Sequence, residues 1–560
     1  MPRRAAPLVV TLLTAAAAGA ACATRPAPPA AGAPAAAAES PATRGEEGGR
    51  RSALDLAYRL AMPDPASHIY EVQLDVGGAV GDTLRLQLPV WSPGRYARMD
   101  FARNVQDFRA ETGDGARALR WEKGSGSLWR VYPAGASRVR VRYRVFANDL
   151  SGTFSVLDTA HANWNGASLF MYVVGHKADP VRLAVDAPPG WMLMSGDATT
   201  PQQRDFTFES YDRLIDTPTE VAPSFMVDSF RVDDRLYRVV VHHNGPAPAG
   251  ARERFVGDVR RIVTYENRVV APPPLRTYTF LFNIGYPGGD GMEHLFSTQI
   301  VNSRPWTDTA QLLPGVTTAS HEYFHTWNVK RIRPIALGPF DYTTEQHQPS
   351  LWVAEGWTQY YGDVGLGRAG VVPREAMYRT MAARIQLVSE SPGRKERSAR
   401  QASFDAPFFD GAAQPMKTNA ANTFLTYYFK GEALAMLLDL EIRARTNNAR
   451  SLDDALRRLK QLSWDQPNAS YYLQGRGYTE ADVERAVSDV AGADFHPWFE
   501  RYVGGVEELP WTETLARAGL VLTVTRDGDG AAHYALGEAP NATEGERRVR
   551  EGWATGTTSR

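Results

Sequence analysis

The sequence predicts a multidomain α+β protein: a β-sandwich-like N-terminal domain, a mixed α+β domain that runs into a helical part, and a short C-terminal remnant. Three observations carry this. The chain has 560 residues, too many for one ordinary core. Residues 52–244 alternate apolar and polar side chains with period two. From about residue 251 the apolar spacing changes to three and four, the period of a helix. Apolar residues make up 43% and aromatic residues 10%, enough for packed cores.

The first 22 residues read as an export signal. Arg3 and Arg4 precede an apolar run from Leu8 to Ala21, short for a membrane span. Gly19-Ala20-Ala21-Cys22 is similar to a bacterial lipoprotein cleavage box, in which Cys22 would carry the lipid. Gly19 stands where such boxes usually have Leu. The expected place is the bacterial cell envelope, periplasmic and anchored to a membrane through Cys22. Residues 23–51 are rich in Ala, Pro and Gly and read as a flexible linker.

The β domain is expected over 52–244. Tyr70, Val72, Leu74 and Val76 form one alternating run; Leu84, Leu86, Leu88 and Val90 form the next. Val139, Val141, Tyr143 and Val145 alternate with Arg138, Arg140, Arg142 and Arg144. That arginine row reads as the wet face of a strand. The balance of 62 Lys and Arg against 63 Asp and Glu argues against a nucleic-acid partner. With one cysteine, an intramolecular disulfide and a multi-cysteine zinc site are both excluded.

Residues 245–505 are expected to form the second domain. Phe255, Val259, Ile262 and Val263 share a helix face, 278–284 reads as a strand, and 316–332, 350–364, 371–389, 423–445 and 451–463 read as helices. Residues 506–560 contain one expected strand, 520–524, and end polar.

The chemistry centres on His321-Glu322-Tyr323-Phe324-His325. Four residues apart on a helix, His321 and His325 share a face and can bind one metal ion. Glu322 lies one residue along, placed to take a proton from water that the metal acidifies. Glu355, on the apolar stretch Leu351–Trp357, supplies the third ligand that a His₂Glu site needs. That donor set suits zinc, one ion per chain. His242-His243 reads as a strand end rather than a second metal site.

The stretch from His321 to Pro334 resembles the signature of the glycyl aminopeptidase family, gluzincin metallopeptidases with a thermolysin-like catalytic domain. Trp352–Asp363, Thr426–Glu432, Asp439–Arg443 and the N-terminal Leu88–Tyr96 resemble further segments of it, so the likeness covers about residues 55–520. It implies a zinc metalloprotease that removes N-terminal residues from peptide substrates, with preference for Gly or Ala. Tyr428 in Tyr428-Phe429-Lys430-Gly431 is similar to the tyrosine that stabilises the oxyanion in related aminopeptidases; Tyr427 is the competitor. Gly288-Gly289-Asp290-Gly291-Met292-Glu293-His294 resembles their amine-binding segment, with His294 in place of Asn and a different spacing of the glycines. Glu293 is the implied anchor for the substrate's amino group, a role Asp290 could share. Lys330, Arg331 and Arg333 either meet a substrate carboxylate or complement a helix end. Family members commonly end in a PDZ domain; here it is expected to be incomplete or absent. A zinc endopeptidase and a catalytically inactive peptide-binding envelope protein are the alternatives.

Overall fold

The computed structural model describes residues 52–245, 249–304, 306, 313–409, 423–468 and 474–559. The leader, Cys22 and the linker lie outside the described residues.

The N-terminal part is built from three sheets. The largest has six strands in the order Asp205–Phe208, Val181–Asp186, Asp55–Ala61, Ile69–Gly77, Arg138–Phe146 and Val105–Thr112. Tyr70, Val72, Leu74 and Val76 point into the core as their alternation requires. The arginine row lies on the other face. Arg138 pairs with Asp55 two strands away, and Arg140, Arg142 and Arg144 pair with Asp75, Glu111 and Asp107 on the adjacent strands. A four-stranded sheet, in the order Tyr172–Val173, Leu84–Gln87, Leu128–Tyr132 and Arg120–Lys123, packs into the same core. Phe108 of the large sheet stacks on Trp129 of the smaller one, centroids 5.7 Å apart. The third sheet runs Met192–Ser195, Thr219–Ala222, Ala162–Trp164 and Val156–Leu157.

The boundary expected at residue 244 falls earlier. Strands Met226–Val232 and Arg235–His243 belong to the next sheet, whose order continues Thr277–Ile284, Ser297–Asn302 and Gly289–Glu293. Arg235–His243 pairs in parallel with Thr277–Ile284. Alternation gives the faces of a strand but not the sheet it joins, so periodicity could not place this border. Helix Ala251–Val269 covers the sheet with Phe255, Val259, Ile262 and Val263.

Helix Leu313–Phe324 packs against Ser297–Asn302 and the edge strand Gly289–Glu293. It is shorter than the expected 316–332. Beyond Phe324 the chain continues as turns: the amides of Lys330 and Ile332 reach back five residues, to the carbonyls of His325 and Trp327. The segment Leu351–Ala354, the helix Gly356–Arg368 and the helix Tyr427–Arg445 complete the frame. Gly356 and Gly431 let the last two cross at backbone contact. A Cβ on Gly356 would lie 2.4 Å from the Gly431 Cα. Both crossing residues must be glycine for this approach.

Residues 506–559 pack onto the helical part. The expected strand is present as Leu520–Arg526, paired with Ala532–Glu538. A helix not anticipated from the sequence, Glu544–Thr555, follows. Its Trp553 is buried and donates from Nε1 to the Tyr360 hydroxyl at 3.0 Å. No helix among the described residues is long and apolar enough to cross a membrane.

Candidate metal centre and substrate site

His321 lies in the last turn of the helix Leu313–Phe324, and His325 is the first residue of the turns that follow. Their Nε2 atoms are 3.1 Å apart. Glu355 sits where Leu351–Ala354 gives way to Gly356–Arg368, and its Oε2 lies 3.4 Å from each Nε2. Four ligands set tetrahedrally about 2.0–2.1 Å from zinc stand roughly 3.3 Å from one another. The three atoms therefore have the spacing of a zinc site, and Glu355 Oε2 is a buried oxygen without a hydrogen-bond partner. A shared cation is the group this arrangement fits.

The neighbours of each ligand fix its orientation. The His325 Nδ1–H donates to the Asn328 carbonyl at 2.6 Å, which leaves Nε2 as the coordinating lone pair. Asn328 Nδ2 in turn donates to the Val353 carbonyl at 2.8 Å, joining the turn after the metal helix to the segment that carries Glu355. The second oxygen of Glu355, Oε1, accepts from the Tyr96 hydroxyl. Burial and the nearby carboxylates Glu355 and Glu293 keep that hydroxyl protonated far above the usual tyrosine range.

Two more carboxylates face the ligands. One oxygen each of Glu293 and Glu322 lies within 4.8 Å of the other and of a His325 ring nitrogen. Burial, then the charges of Glu293 and Glu355, push the Glu322 carboxyl well above its ordinary pKa although His325 opposes this. Glu293 ends the edge strand, and its Oε1 is buried with no hydrogen-bond partner. Asp290 is not placed with it. Asp290 pairs with Arg95 and accepts from the Gly152 amide at 2.8 Å.

The tyrosines separate by burial. Tyr427 packs in the core against Tyr96, centroids 6.2 Å apart. Tyr428 is partly exposed, and its ring stacks 6.1 Å from that of His321. The basic residues after the metal helix serve the protein itself. Lys330 bonds Asp216 at 2.9 Å, Arg331 donates to the Thr326 carbonyl, and Arg333 donates to the Gln474 and Gly475 carbonyls. His294 donates from Nδ1 to Asp216 at 3.1 Å. Burial alone would raise Asp216, but Lys330 and His294 hold it well below the carboxylate range.

A second buried group gathers His161, Glu220 and His242. Each Nδ1 lies 2.9 Å from Glu220 Oε1, and Asn163 donates to Oε2 at 2.8 Å. Its carboxylate is thus fully hydrogen-bonded, which describes a structural network. His243 stacks on Trp306.

Sequence reasoning missed Tyr96 as a partner of the metal group. The signal available was its place in Trp91-Ser92-Pro93-Gly94-Arg95-Tyr96. Trp327, Trp352 and Trp357 are core residues.

The chain is similar to known proteins in sequence and in fold. Residues 57–223 match the Peptidase M61 N-terminal domain, and residues 315–434 match the M61 glycyl aminopeptidase. An aminopeptidase N family protein from Idiomarina loihiensis has a similar crystal structure. It is 24% identical, with 87% of this chain and 82% of that chain covered and a TM-score of 0.77, a likeness of fold. An M1 zinc metallopeptidase from Deinococcus radiodurans is 17% identical over 82% of this chain and 96% of that one, with a TM-score of 0.47. No curated protein sequence matches.

Proposed function

The chain is a metallopeptidase of the M61 glycyl aminopeptidase family, and on that premise we propose that it removes the first residue from peptides bearing a free amino group. His321, His325 and Glu355 would hold one zinc ion. Bound there, zinc supplies Lewis acidity: it polarises the scissile carbonyl and acidifies a water molecule. Glu322 takes the proton from the attacking water and passes it to the leaving amine. Tyr428 donates a hydrogen bond to the oxyanion of the tetrahedral intermediate. Glu293 anchors the substrate's ammonium group.

The observation that carries this reading is the buried, unpartnered Oε1 of Glu293 beside Glu322. An anionic oxygen without a donor is costly to bury, and a substrate ammonium is the donor that suits it. An endopeptidase has no use for such a group at the end of its cleft. The test is hydrolysis of paired peptides, free or acetylated at the amino end, by protein with its zinc quantified. Cleavage confined to the free peptides, with about one zinc per chain, is expected. Cleavage of acetylated peptides would establish an endopeptidase. Glu322→Gln is expected to retain zinc and lose about 10²–10⁴-fold in kcat; a Glu322→Gln protein as active as the parent would overturn the mechanism.

The basic-apolar leader ending at Cys22 supports export and lipid anchoring in a bacterial envelope. Incorporation of labelled palmitate by the chain, lost in Cys22→Ala, tests this; equal labelling of both rules out Cys22 as the anchor.

A further inference from the structure

A groove of about 1140 Å³ shares no residue with the metal centre. It lies between helix Ala251–Val269, the end of helix Gly356–Arg368, the start of helix Leu452–Leu462 and residues 555–559. Six arginines line it, against two aspartates. The whole chain is balanced, with 62 Lys and Arg against 63 Asp and Glu, so this excess is local. Some of these charges serve the fold. Arg368 and Arg443 bond Asp439 at 3.0 and 2.9 Å, and both also attract the buried Asp453. That buried group is therefore even in charge. Arg261 pairs with Asp258 on its own helix. Arg450 and Arg457 share one carboxylate, Asp454, at 3.6 and 3.1 Å. Arg260 and Arg268 are exposed, and their side chains have no partner among the described residues.

Three cations are thus left over: Arg260, Arg268 and one of the pair on Asp454. They are not scattered. Arg457 donates to the Arg268 carbonyl at 3.0 Å, which fixes one basic side chain beside the segment bearing another. Like charges gathered in a recess repel each other and concentrate anions there. The wall also holds Ser451, which caps Leu452–Leu462. Its hydroxyl is buried, and no described group accepts its proton.

We propose that this groove binds a small anion bearing phosphate groups, held by Arg260, Arg268 and Arg457 with the Ser451 hydroxyl. The proposal is independent of the aminopeptidase reading. A guanidinium presents paired N–H groups that match two oxygens of one phosphate. A carboxylate offers only two oxygens and one charge, whereas three cations and a hydroxyl call for more of both. Tyr265 is the one aromatic residue of the wall, so the lining suits the anionic part of a ligand and not a base or a fatty chain. A soluble phosphate compound and a lipid headgroup present the same group.

The test is calorimetry of the zinc-loaded full chain with inorganic phosphate and with fructose bisphosphate, at ionic strength held constant with sodium chloride. Saturable one-to-one binding is expected, weakened about tenfold in Arg268→Gln and in Arg260→Gln. Both side chains are exposed, so circular dichroism, zinc content and peptide hydrolysis should match the parent; either variant serves if the other does not fold. Phosphate should also raise the thermal midpoint of the parent more than that of the variants. Sedimentation with phosphatidylglycerol or phosphatidylcholine vesicles separates the sources, and comparison with Arg268→Gln cancels any contribution of the leader. Arg268-dependent retention on phosphatidylglycerol alone, without binding of the soluble compounds, would assign the groove to a lipid headgroup. Binding of neither soluble compound nor vesicle, or binding equal in parent and folded variants, would overturn the proposal.

Discussion

The Tyr96 hydroxyl donates a 2.5 Å hydrogen bond to Oε1 of Glu355 across 259 residues of sequence. It comes from the β domain and ends on the third metal ligand. The same loop sends Arg95 to Asp290 and to the Gly291 carbonyl at 2.9 Å, on the strand that ends in Glu293. The loop is held in turn by the catalytic part: the Val90 amide donates to the Tyr342 carbonyl and the Trp91 indole to that of Asp341. The β domain thus supplies a wall of the site and one partner of the metal group.

Tyr96→Phe removes that hydrogen bond and little else. Losing a partner that orients a metal ligand typically costs 10–100-fold in metal affinity. Competition with a zinc chelator should show a drop of about tenfold or more, while circular dichroism and the thermal midpoint stay near those of the parent. Unaltered zinc affinity would reduce the Tyr96 contact to packing.

Gly94 is the point of closest approach between loop and anchor. A Cβ added there would lie 2.3 Å from Met292 Sδ and 2.6 Å from Glu293 Oε2. Its φ of +92° also disfavours any other residue. Gly94→Ala should displace Glu293, raising KM for free-amine peptides about tenfold and destabilising the fold by about 1 kcal/mol. The kinetics and a urea titration read the two effects separately. A normal KM would mean that Glu293 does not hold the amine.

The site was legible in the sequence where its logic is local. Two histidines four apart need only a helix to share a face, so His321 and His325 could be paired from spacing alone. Glu355 required a second segment, and the single carboxylate of the apolar stretch Leu351–Trp357 pointed to it. Tyr96 was hidden because only tertiary closure brings it to Glu355. Residues 226–243 were included in the expected β domain, whereas Met226–Val232 and Arg235–His243 join the next sheet, since pairing partners leave no periodic mark. The helix Glu544–Thr555 was missed because its charges and glycines mask an apolar stripe. Its N-terminal signal, Thr543 with Glu546 three residues on, forms a capping box in the structure.

Acid should weaken the border between the first sheets and the catalytic sheet. Glu220, on Thr219–Ala222, is buried against His161 and against His242 of Arg235–His243. Burial alone would raise its pKa, but the two imidazoles bring it down from 4.5 to about 2. A folded-state value below the unfolded one gives stability that is present above about pH 4.5 and lost as pH falls towards 2. The shift corresponds to something on the order of 3 kcal/mol. Glu220→Gln should therefore be less stable than the parent at neutral pH, with the gap closing between pH 4.5 and 2. Urea unfolding of both proteins across that range measures it. A gap independent of pH would show that the Glu220 charge is not what matters.

The choice between the adjacent tyrosines turns on what each ring already touches. Tyr427 is 3% exposed and sits among Tyr96 and the core of the helical part. Moving its hydroxyl to a reacting carbonyl would require that packing to open. Tyr428 is partly exposed beside His321, where a substrate oxygen polarised at the metal ligands would come to lie. A donor used only in the transition state lowers kcat when removed and leaves substrate binding alone. Tyr428→Phe should cost about 10²–10³ in kcat with KM nearly unchanged, whereas Tyr427→Phe should keep turnover within a few-fold of the parent. The reverse pattern would move the oxyanion donor to Tyr427 and imply that the N-terminal turn of Tyr427–Arg445 rotates when substrate binds.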